Sequence, residues 1–185
     1  RHLVDAALAR GDSVTLFNRG LSSPQPPAGV AWLPGDRAGD LAMLASGPGW
    51  DAAIDTCGYL PADTGRLARA LAGRVGRLAF ISSVSGYASM ARPNDEGAPL
   101  GVIDDPDTTT IDGRTYGPLK ALCEAAVQQA LGPQHSLLVR PGLIVGPEDP
   151  TGRFTYWPLR LARGGEVLAG VAPDERVQVI DVRDL

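Results

Sequence analysis

A tyrosine stands four residues before the only lysine of the chain, at positions Tyr116 and Lys120. The residues that follow, 121–130, predict a helix, and side chains four apart on a helix lie on the same face. An ammonium close to a phenol stabilises the phenolate, so such a tyrosine can release and take back a proton near neutral pH. The pair therefore predicts Tyr116 as a general acid/base. An exposed pair without a function is the alternative.

Two serines, Ser82 and Ser83, close an apolar run over 77–82 that predicts a buried strand. In open α/β sheets, ligands bind beyond the carboxyl ends of the strands. Hydroxyl groups at this place can polarise the carbonyl or alcohol of a substrate. Because serines often end strands without any such role, an ordinary turn remains the alternative.

Polar residues also follow the two strands predicted over 13–17 and 30–33. In a dinucleotide-binding fold an acid at the first place binds the ribose hydroxyls of NAD, whereas an arginine accommodates the 2′-phosphate of NADP. Asn18 and Arg19 stand there, and Arg19 predicts NADP. Asp36 follows the second strand, where it could accept from the adenine amino group or cap a helix.

Strands and helices alternate along the chain, which predicts a parallel sheet covered by helices on both faces. Two long stretches, 18–29 and 86–113, are predicted loops, and 140–147 is a rigid apolar elbow or a plain turn. The predicted strands are 13–17, 30–33, 50–55, 77–82, 135–140 and 177–180. The predicted helices are 1–10, 37–45, 62–71, 116–131 and the later part of 152–162.

The composition is that of one folded α/β domain, with 44% hydrophobic and 21% charged residues in 185. The net charge is −4 without any basic cluster, which argues against a nucleic-acid partner. No apolar stretch approaches the roughly 18 residues of a membrane span, which argues against a membrane partner.

The cysteines and histidines show no pattern of a metal site. Cys57 and Cys123 lie far from His2 and His135 in the sequence, and no metal-ligand spacing occurs. The chain has no secretory signal, so reduced thiols in the cytoplasm are expected. No metal ligand is therefore predicted.

Taken in order, these motifs resemble the short-chain dehydrogenase/reductase superfamily, above all its extended branch, the NAD-dependent epimerase/dehydratase family. The resemblance rests on Asn18-Arg19 after one strand, Asp36 after the next, Ser83 in Ser-Ser-Val-Ser-Gly-Tyr, and Tyr116 with Lys120. It extends over nearly the whole chain and implies a Rossmann-type, doubly wound parallel sheet.

The resemblance also assigns roles to residues. Tyr116 would be the acid/base, Lys120 would bind the nicotinamide ribose, and Ser83 would hold the substrate oxygen during hydride transfer. The segment 55–58 matches the strand end that lies along the cofactor. The implied cofactor contacts are Asn18, Arg19, Asp36, Thr56, Cys57, Gly58, Ser82, Tyr116, Lys120, Pro141 and Leu143.

Two parts of the family pattern are expected outside this sequence. The Gly-rich turn and its strand should precede Arg1, and the substrate lobe should follow Leu185. Residues 1–185 are thus predicted to be a partial NAD(P)-binding Rossmann domain without its first strand, Gly-rich turn and C-terminal lobe. Since that strand is central in the order 3-2-1-4-5-6, its two neighbours would lose their shared partner. We expect this piece alone to bind cofactor poorly or to fold unstably.

The predicted function is an NADP(H)-dependent oxidoreductase or epimerase. No acidic residue adjoins Ser83, which disfavours a dehydratase. The family's commonest substrate is a nucleotide sugar. The alternatives are a non-catalytic relative that senses NAD(P) or binds a partner, and a non-functional truncated product. The helix over 115–131 could form a homodimer face, or the same apolar stripe could pack on the sheet.

Overall fold

The computed structural model describes residues 1–21, 23, 25–170, 172 and 174–185. Positions 22 and 24 of the loop predicted over 18–29 lie outside the described residues. The chain forms two compact units. The first holds Leu3–Arg140 together with Arg1, and the second holds Pro141–Leu185 together with His2.

The alternation of strands and helices predicted from the sequence is present up to Arg140. The helices are α1 (His2–Ala9), α2 (Ala42–Ser46), α3 (Pro61–Leu71) and α4 (Tyr116–Leu131), with 3₁₀ turns at Val84–Gly86 and Pro133–His135. The strands are β1 (Val14–Asn18), β2 (Val30–Pro34), β3 (Trp50–Asp55), β4 (Val75–Ile81) and β5 (Ser136–Val139).

These strands form two separate parallel sheets. One sheet pairs β1 with β2, and the other has the order β3-β4-β5. Within the described residues no strand joins β1 to β3 by hydrogen bonds. This break agrees with the expectation that the two neighbours of the central strand would lack their shared partner.

One apolar cluster holds the first unit together. In β4, Leu78 and Phe80 point to the same face and are 1% and 0% exposed. Helices α3 and α4 contribute buried residues at helical spacing, including Leu67, Leu71, Cys123 and Val127. Burying each large side chain stabilises the fold by about 1.5–3 kcal/mol. From the other sheet, Phe17 and Leu33 pack against this cluster, so it connects the two sheets.

The helix predicted over 37–45 is wrong in its first half. Ala38 N donates to Asp36 Oδ1 at 2.9 Å and Gly39 N donates to Asp36 O, so this segment makes a turn. The helix α2 begins only at Ala42, whose N–H is bound by Asp40 Oδ1 at 2.8 Å. Asp36 therefore caps no helix, which removes one of its two predicted roles.

The second unit contains β6 (Leu143–Val145), α5 (Tyr156–Ala162) and β7 (Val179–Asp181). The strands β6 and β7 pair in parallel, so the prediction of an elbow or turn over 140–147 is wrong for its central residues. A Cβ at Gly142 would lie 2.6 Å from Gln178 O, so this glycine allows the two chain segments to approach. Such a distant partner leaves no local signal in the sequence.

Candidate functional site

Lys120 lies inside the first unit and is 3% exposed. Its Nζ donates hydrogen bonds to Gly58 O and Ile81 O, each at 2.7 Å, and lies 4.2 Å from the Phe80 ring centroid. Ile81 ends β4 and Gly58 lies in the loop three residues after the end of β3, so the ammonium connects the end of β4 with the loop that follows β3. An ammonium has three donors, and one is left without a hydrogen bond to the residues that the structure describes.

Burial lowers the pKa of Lys120 below its ordinary value, because desolvation penalises the charged ammonium. The negative charges of Asp55 and Glu124 act against this shift. The carbonyl oxygens of Gly58 and Ile81 replace part of the lost hydration. Lys120 is therefore a buried cation that depends on its backbone partners.

Tyr116 is the first residue of α4 and is half-buried. The ring of Tyr59 lies 6.4 Å from the Tyr116 ring, centroid to centroid, and 5.6 Å from Lys120 Nζ. The predicted acid/base and the predicted ribose-binding lysine therefore meet around a third residue. Tyr59 is not among the residues predicted from the sequence, although it directly follows the 55–58 segment.

The two serines take different positions at the end of β4. Ser83 begins the 3₁₀ turn Val84–Gly86, and its Oγ accepts from Ser85 N at 3.1 Å. This turn packs on the first turn of α4, where a Cβ at Gly117 would collide with Ser85 O. Ser83 is thereby brought to the helix start that carries Tyr116. Ser82 is 4% exposed, and its Oγ has no hydrogen-bond partner among the described residues.

An arginine outside the predicted set organises the end of β3. Arg37 Nη1 and Nη2 bind Asp55 Oδ1 and Oδ2 at 2.8 and 2.9 Å, and Nη1 lies 3.3 Å from Cys57 Sγ. The Asp55 side chain is 4% exposed, so the pair is largely shielded from water. Cys57 N also donates to Asp55 Oδ1, at 3.1 Å, whereas Thr56 is exposed. The loop that leads to Gly58 is thus held in place by a bidentate ion pair.

Three predicted cofactor residues meet at the ends of β1 and β2. Asn18 Oδ1 accepts from Gly20 N at 2.9 Å and from Trp32 Nε1 at 3.2 Å, which fixes the turn after β1. Arg19 is the middle residue of this turn, and its Nη1 lies 3.8 Å from Asp36 Oδ2. Both charged side chains are exposed, so a ligand can reach them.

A second buried ion pair ties α4 to the end of β5. Glu124 is 2% exposed and binds Arg140, with Nη2 to Oε2 at 2.6 Å and Nε to Oε1 at 2.9 Å. The Arg140 guanidinium lies 4.8 Å from the Tyr87 ring centroid. Its hydrogen bond with Glu124 raises the pKa of Arg140 above the ordinary value. This pair fixes the helix that carries Tyr116 and Lys120.

The remaining predicted contacts, Pro141 and Leu143, belong to the second unit, so their role stays a prediction. Among the described residues, no group of three or more His, Cys, Asp or Glu could hold a metal ion. In the same part of the chain, no helix is both long and apolar enough to cross a membrane.

Solved structures of low sequence identity share the fold. A putative NAD-dependent epimerase/dehydratase from Methylobacillus flagellatus is 22% identical, with a TM-score of 0.62 over 99% of this chain and 62% of that chain. MoeE5, solved with UDP-glucose and NAD, is 19% identical, with a TM-score of 0.61 over 86% of this chain and 56% of its own. UDP-glucuronic acid 4-epimerase from Bacillus cereus, solved with NAD, is 18% identical, with a TM-score of 0.55 over 80% of this chain and 54% of that chain.

No protein-family model and no curated protein matches the chain. The chain spans between about half and two-thirds of the length of the three structures named above, at 54–62%. These neighbours confirm the predicted resemblance at the level of the fold. The chain has the Rossmann-like α/β fold seen in NAD-dependent epimerase/dehydratase and short-chain dehydrogenase/reductase structures.

Proposed function

We propose that the chain carries the nicotinamide-dinucleotide site of an oxidoreductase or epimerase of the extended short-chain dehydrogenase type. The observation that carries this proposal is the arrangement around Lys120. A buried ammonium with one donor not used by the described residues sits near the carboxyl ends of two parallel strands, on the same helix as Tyr116. Ligands of open α/β sheets bind at such strand ends.

Unused polar groups of the first unit fit a nicotinamide riboside. Lys120 keeps one N–H, and the buried Ser82 Oγ has no partner among the described residues. Ribose hydroxyls can accept from an ammonium and can bond with a serine hydroxyl. A ribose at this place would therefore satisfy groups that the described residues leave unpaired. Thr56, Cys57 and Gly58 would line the same strand end.

In the proposed reaction the chain's own residues handle the proton and the substrate oxygen. Tyr116 Oη would give a proton to the substrate oxygen, or take one from it, as carbonyl and alcohol interconvert. Ser83 Oγ would hold that oxygen, and Lys120 would hold the nicotinamide ribose. When bound, the nicotinamide supplies or accepts the hydride at the substrate carbon.

Arg19 supports a preference for NADP(H), with Asn18 shaping its turn. A guanidinium binds a phosphate by two hydrogen bonds and a strong charge attraction. Asp36, 3.8 Å from Arg19, places a negative charge beside the same region and reduces this preference. NAD(H) is the alternative that Asp36 favours. We therefore propose a modest preference for NADP(H), set by the balance between these two side chains.

The proposed substrate is a small molecule, with nucleotide sugars as the first class to test. One matched structure was solved with UDP-glucose, and another is named as a UDP-glucuronic acid 4-epimerase.

We propose no nucleic-acid partner, because the net charge is −4 and the basic residues form no cluster. The two free cysteines, Cys57 and Cys123, are consistent with the proposed cytoplasmic location.

A non-catalytic NAD(P)-sensing protein is the second candidate. The observation that favours it is that Lys120 already has a structural role, because it binds two carbonyl oxygens of the protein itself.

A homodimer through α4 also remains a proposal. The apolar stripe holds Leu119, Leu122, Ala126 and Ala130. Leu119 is 1% exposed and packs inside the chain, so a dimer face would need the other three positions.

Replacing Tyr116 by Phe separates the two candidates. The experiment uses the longest polypeptide that carries these residues, with Tyr156→Phe as the matched control. Net oxidation or reduction of UDP-glucose, UDP-glucuronic acid and simple ketones is followed by reduced-nicotinamide absorbance, and epimerisation, which leaves the cofactor unchanged overall, by chromatography of the sugar nucleotides. For an enzyme we expect Tyr116→Phe to lower turnover by at least about 100-fold, the usual size of an acid/base contribution, while cofactor binding is kept. Equal turnover in both variants would rule out Tyr116 as the acid/base.

A further inference from the structure

Tyr59 stands where β3 has ended and α3 has not yet begun. It follows Gly58 directly and precedes Pro61, the first residue of α3. The tyrosine is 47% exposed, so about half of its surface remains open to a ligand. Burial alone does not explain a large aromatic side chain at this place.

The Tyr59 ring touches both residues to which the proposed chemistry is assigned. Its centroid lies 5.6 Å from Lys120 Nζ, within the range of a cation–π contact, and 6.4 Å from the Tyr116 ring centroid. The two rings are inclined by 43°. The peptide next to Tyr59 is anchored as well, because Gly58 O accepts from Lys120 Nζ at 2.7 Å.

The loop that carries Tyr59 has little freedom to move. Gly58 cannot accept a side chain, because its Cβ would collide with the Phe80 ring and lie 2.7 Å from Thr64 Oγ1. Cys57, two residues before Tyr59, is bound through its N–H and its Sγ. The ring is therefore presented from a fixed backbone.

We propose that Tyr59 is a positioning residue for the nicotinamide half of the dinucleotide. Its ring restrains the Lys120 ammonium and the Tyr116 phenol, so that the free donor of Lys120 meets the nicotinamide ribose. The ring performs this role and the hydroxyl does not, since both contacts are made with the aromatic ring. This inference rests on the proposed function, because it presumes that a nicotinamide dinucleotide binds at this strand end.

The test compares whole dinucleotides with their adenosine halves in the longest polypeptide that carries these residues. The probes are NADPH and NADH, followed by nicotinamide fluorescence, and 2′,5′-ADP and ADP, followed by calorimetry. The variants are Tyr59→Leu, which removes the ring, and Tyr59→Phe, which keeps it. Tyr156→Leu is the control, since Tyr156 is 55% exposed and lies in the second unit.

We expect Tyr59→Leu to weaken the binding of the preferred dinucleotide about tenfold, which corresponds to the loss of a shielded cation–π contact. Its affinity for the adenosine half should stay unchanged, which also shows that the variant is folded. Tyr59→Phe and Tyr156→Leu should bind like the wild type.

Other outcomes would overturn the inference. Equal binding by Tyr59→Leu would show that the ring has no role, and an equal loss for dinucleotide and adenosine half would show a purely structural one. A loss in Tyr59→Phe as large as in Tyr59→Leu would assign the effect to the hydroxyl. If the wild type binds neither dinucleotide, the proposed function itself fails, which is a distinct result.

Discussion

Lys120 carries its charge into the interior of the first unit, where two backbone carbonyls and the Phe80 ring replace water. Desolvation lowers the pKa of this group, so part of the stability of the fold is linked to its protonation. The same features support its proposed role in ligand binding, because the third donor is not used by the described residues. Stability and the proposed binding would thus be coupled at this side chain.

The pH dependence of stability should reveal the link between stability and the protonation of Lys120. The folded pKa of Lys120 lies below its ordinary value of 10.5, so between the two values the unfolded chain binds more protons than the folded chain. The free energy of unfolding therefore rises with pH in that window. Lys120→Met removes this contribution. The free energy of unfolding of the wild type minus that of the variant should therefore increase as the pH approaches about 10.5.

Urea unfolding at a series of pH values measures this difference. Burial raises the pKa of Cys123, which is present in both proteins. A difference that stays constant or falls with rising pH would contradict the buried position of the ammonium.

The Arg37–Asp55 pair should make a large contribution to stability. Arg37→Met would leave the carboxylate of Asp55, 4% exposed, without its bidentate partner. Breaking a buried pair at one partner costs about 3–5 kcal/mol. The matched control is Arg10→Met, where Arg10 and Asp12 are exposed and 3.4 Å apart, with an expected cost below about 1 kcal/mol. Similar costs for the two variants would show that Asp55 is solvated.

At the level of elements, the candidate site depends on how closely the 3₁₀ turn Val84–Gly86, which directly follows Ser83, approaches α4. Gly117, the second residue of the helix, makes this approach possible because a Cβ would collide with Ser85 O. Two backbone segments that come this close leave no room for any side chain. The relative position of Ser83 and Tyr116 therefore depends on a glycine that carries no functional group.

Gly117→Ala should destabilise the protein although alanine favours helices. The overlap with a backbone carbonyl should cost about 1–3 kcal/mol, more than the gain of about 1 kcal/mol in helix propensity. Gly113→Ala is the control, because a Cβ there would meet nothing within 4 Å. Thermal unfolding of both variants is the measurement. An unchanged melting temperature for Gly117→Ala would show that the turn does not pack on the helix as described.

The helices and strands with strong local signals could be predicted from the sequence. Helix α4 has the predicted bounds, 116–131, because its composition favours a helix and Gly132, at φ 79°, ends it. The first half of the helix predicted over 37–45 is wrong, because Asp36 binds the N–H of Ala38 in a turn and α2 begins only at Ala42, whose N–H is bound by Asp40. The strand β6 was missed, because its pairing with β7 is not encoded locally.

Over the whole molecule, the two sheets of the first unit each have an edge strand, β1 and β3, without a partner on one side among the described residues. The fold expected from the resemblance places its central strand between these two edges. On the three-stranded sheet, Ile54 and Leu137 share a row with Ala79 and remain 51% and 48% exposed. The polypeptide used for binding experiments should therefore be the longest one that carries these residues.

The candidate site could be predicted from the sequence only in part. Helical spacing was enough to select Tyr116 and Lys120 on one helix face, and the position of Ser83 at a strand end, where ligands of open α/β sheets bind, was enough to select it. The spacing could not reveal Tyr59 or Arg37, because their roles arise from contacts between segments far apart in sequence. The arrangement of Arg19 beside Asp36 is likewise visible only in the folded chain.

The central claim is that the chain binds a nicotinamide dinucleotide, and its most direct test is a fluorescence titration with NADPH and NADH. Arg19→Ala and Asp36→Asn are titrated alongside the wild type. We predict that NADPH binds more tightly than NADH, that Arg19→Ala weakens NADPH selectively, and that Asp36→Asn increases the preference for NADPH. Absence of binding by both nucleotides to the longest polypeptide that carries these residues would contradict the account.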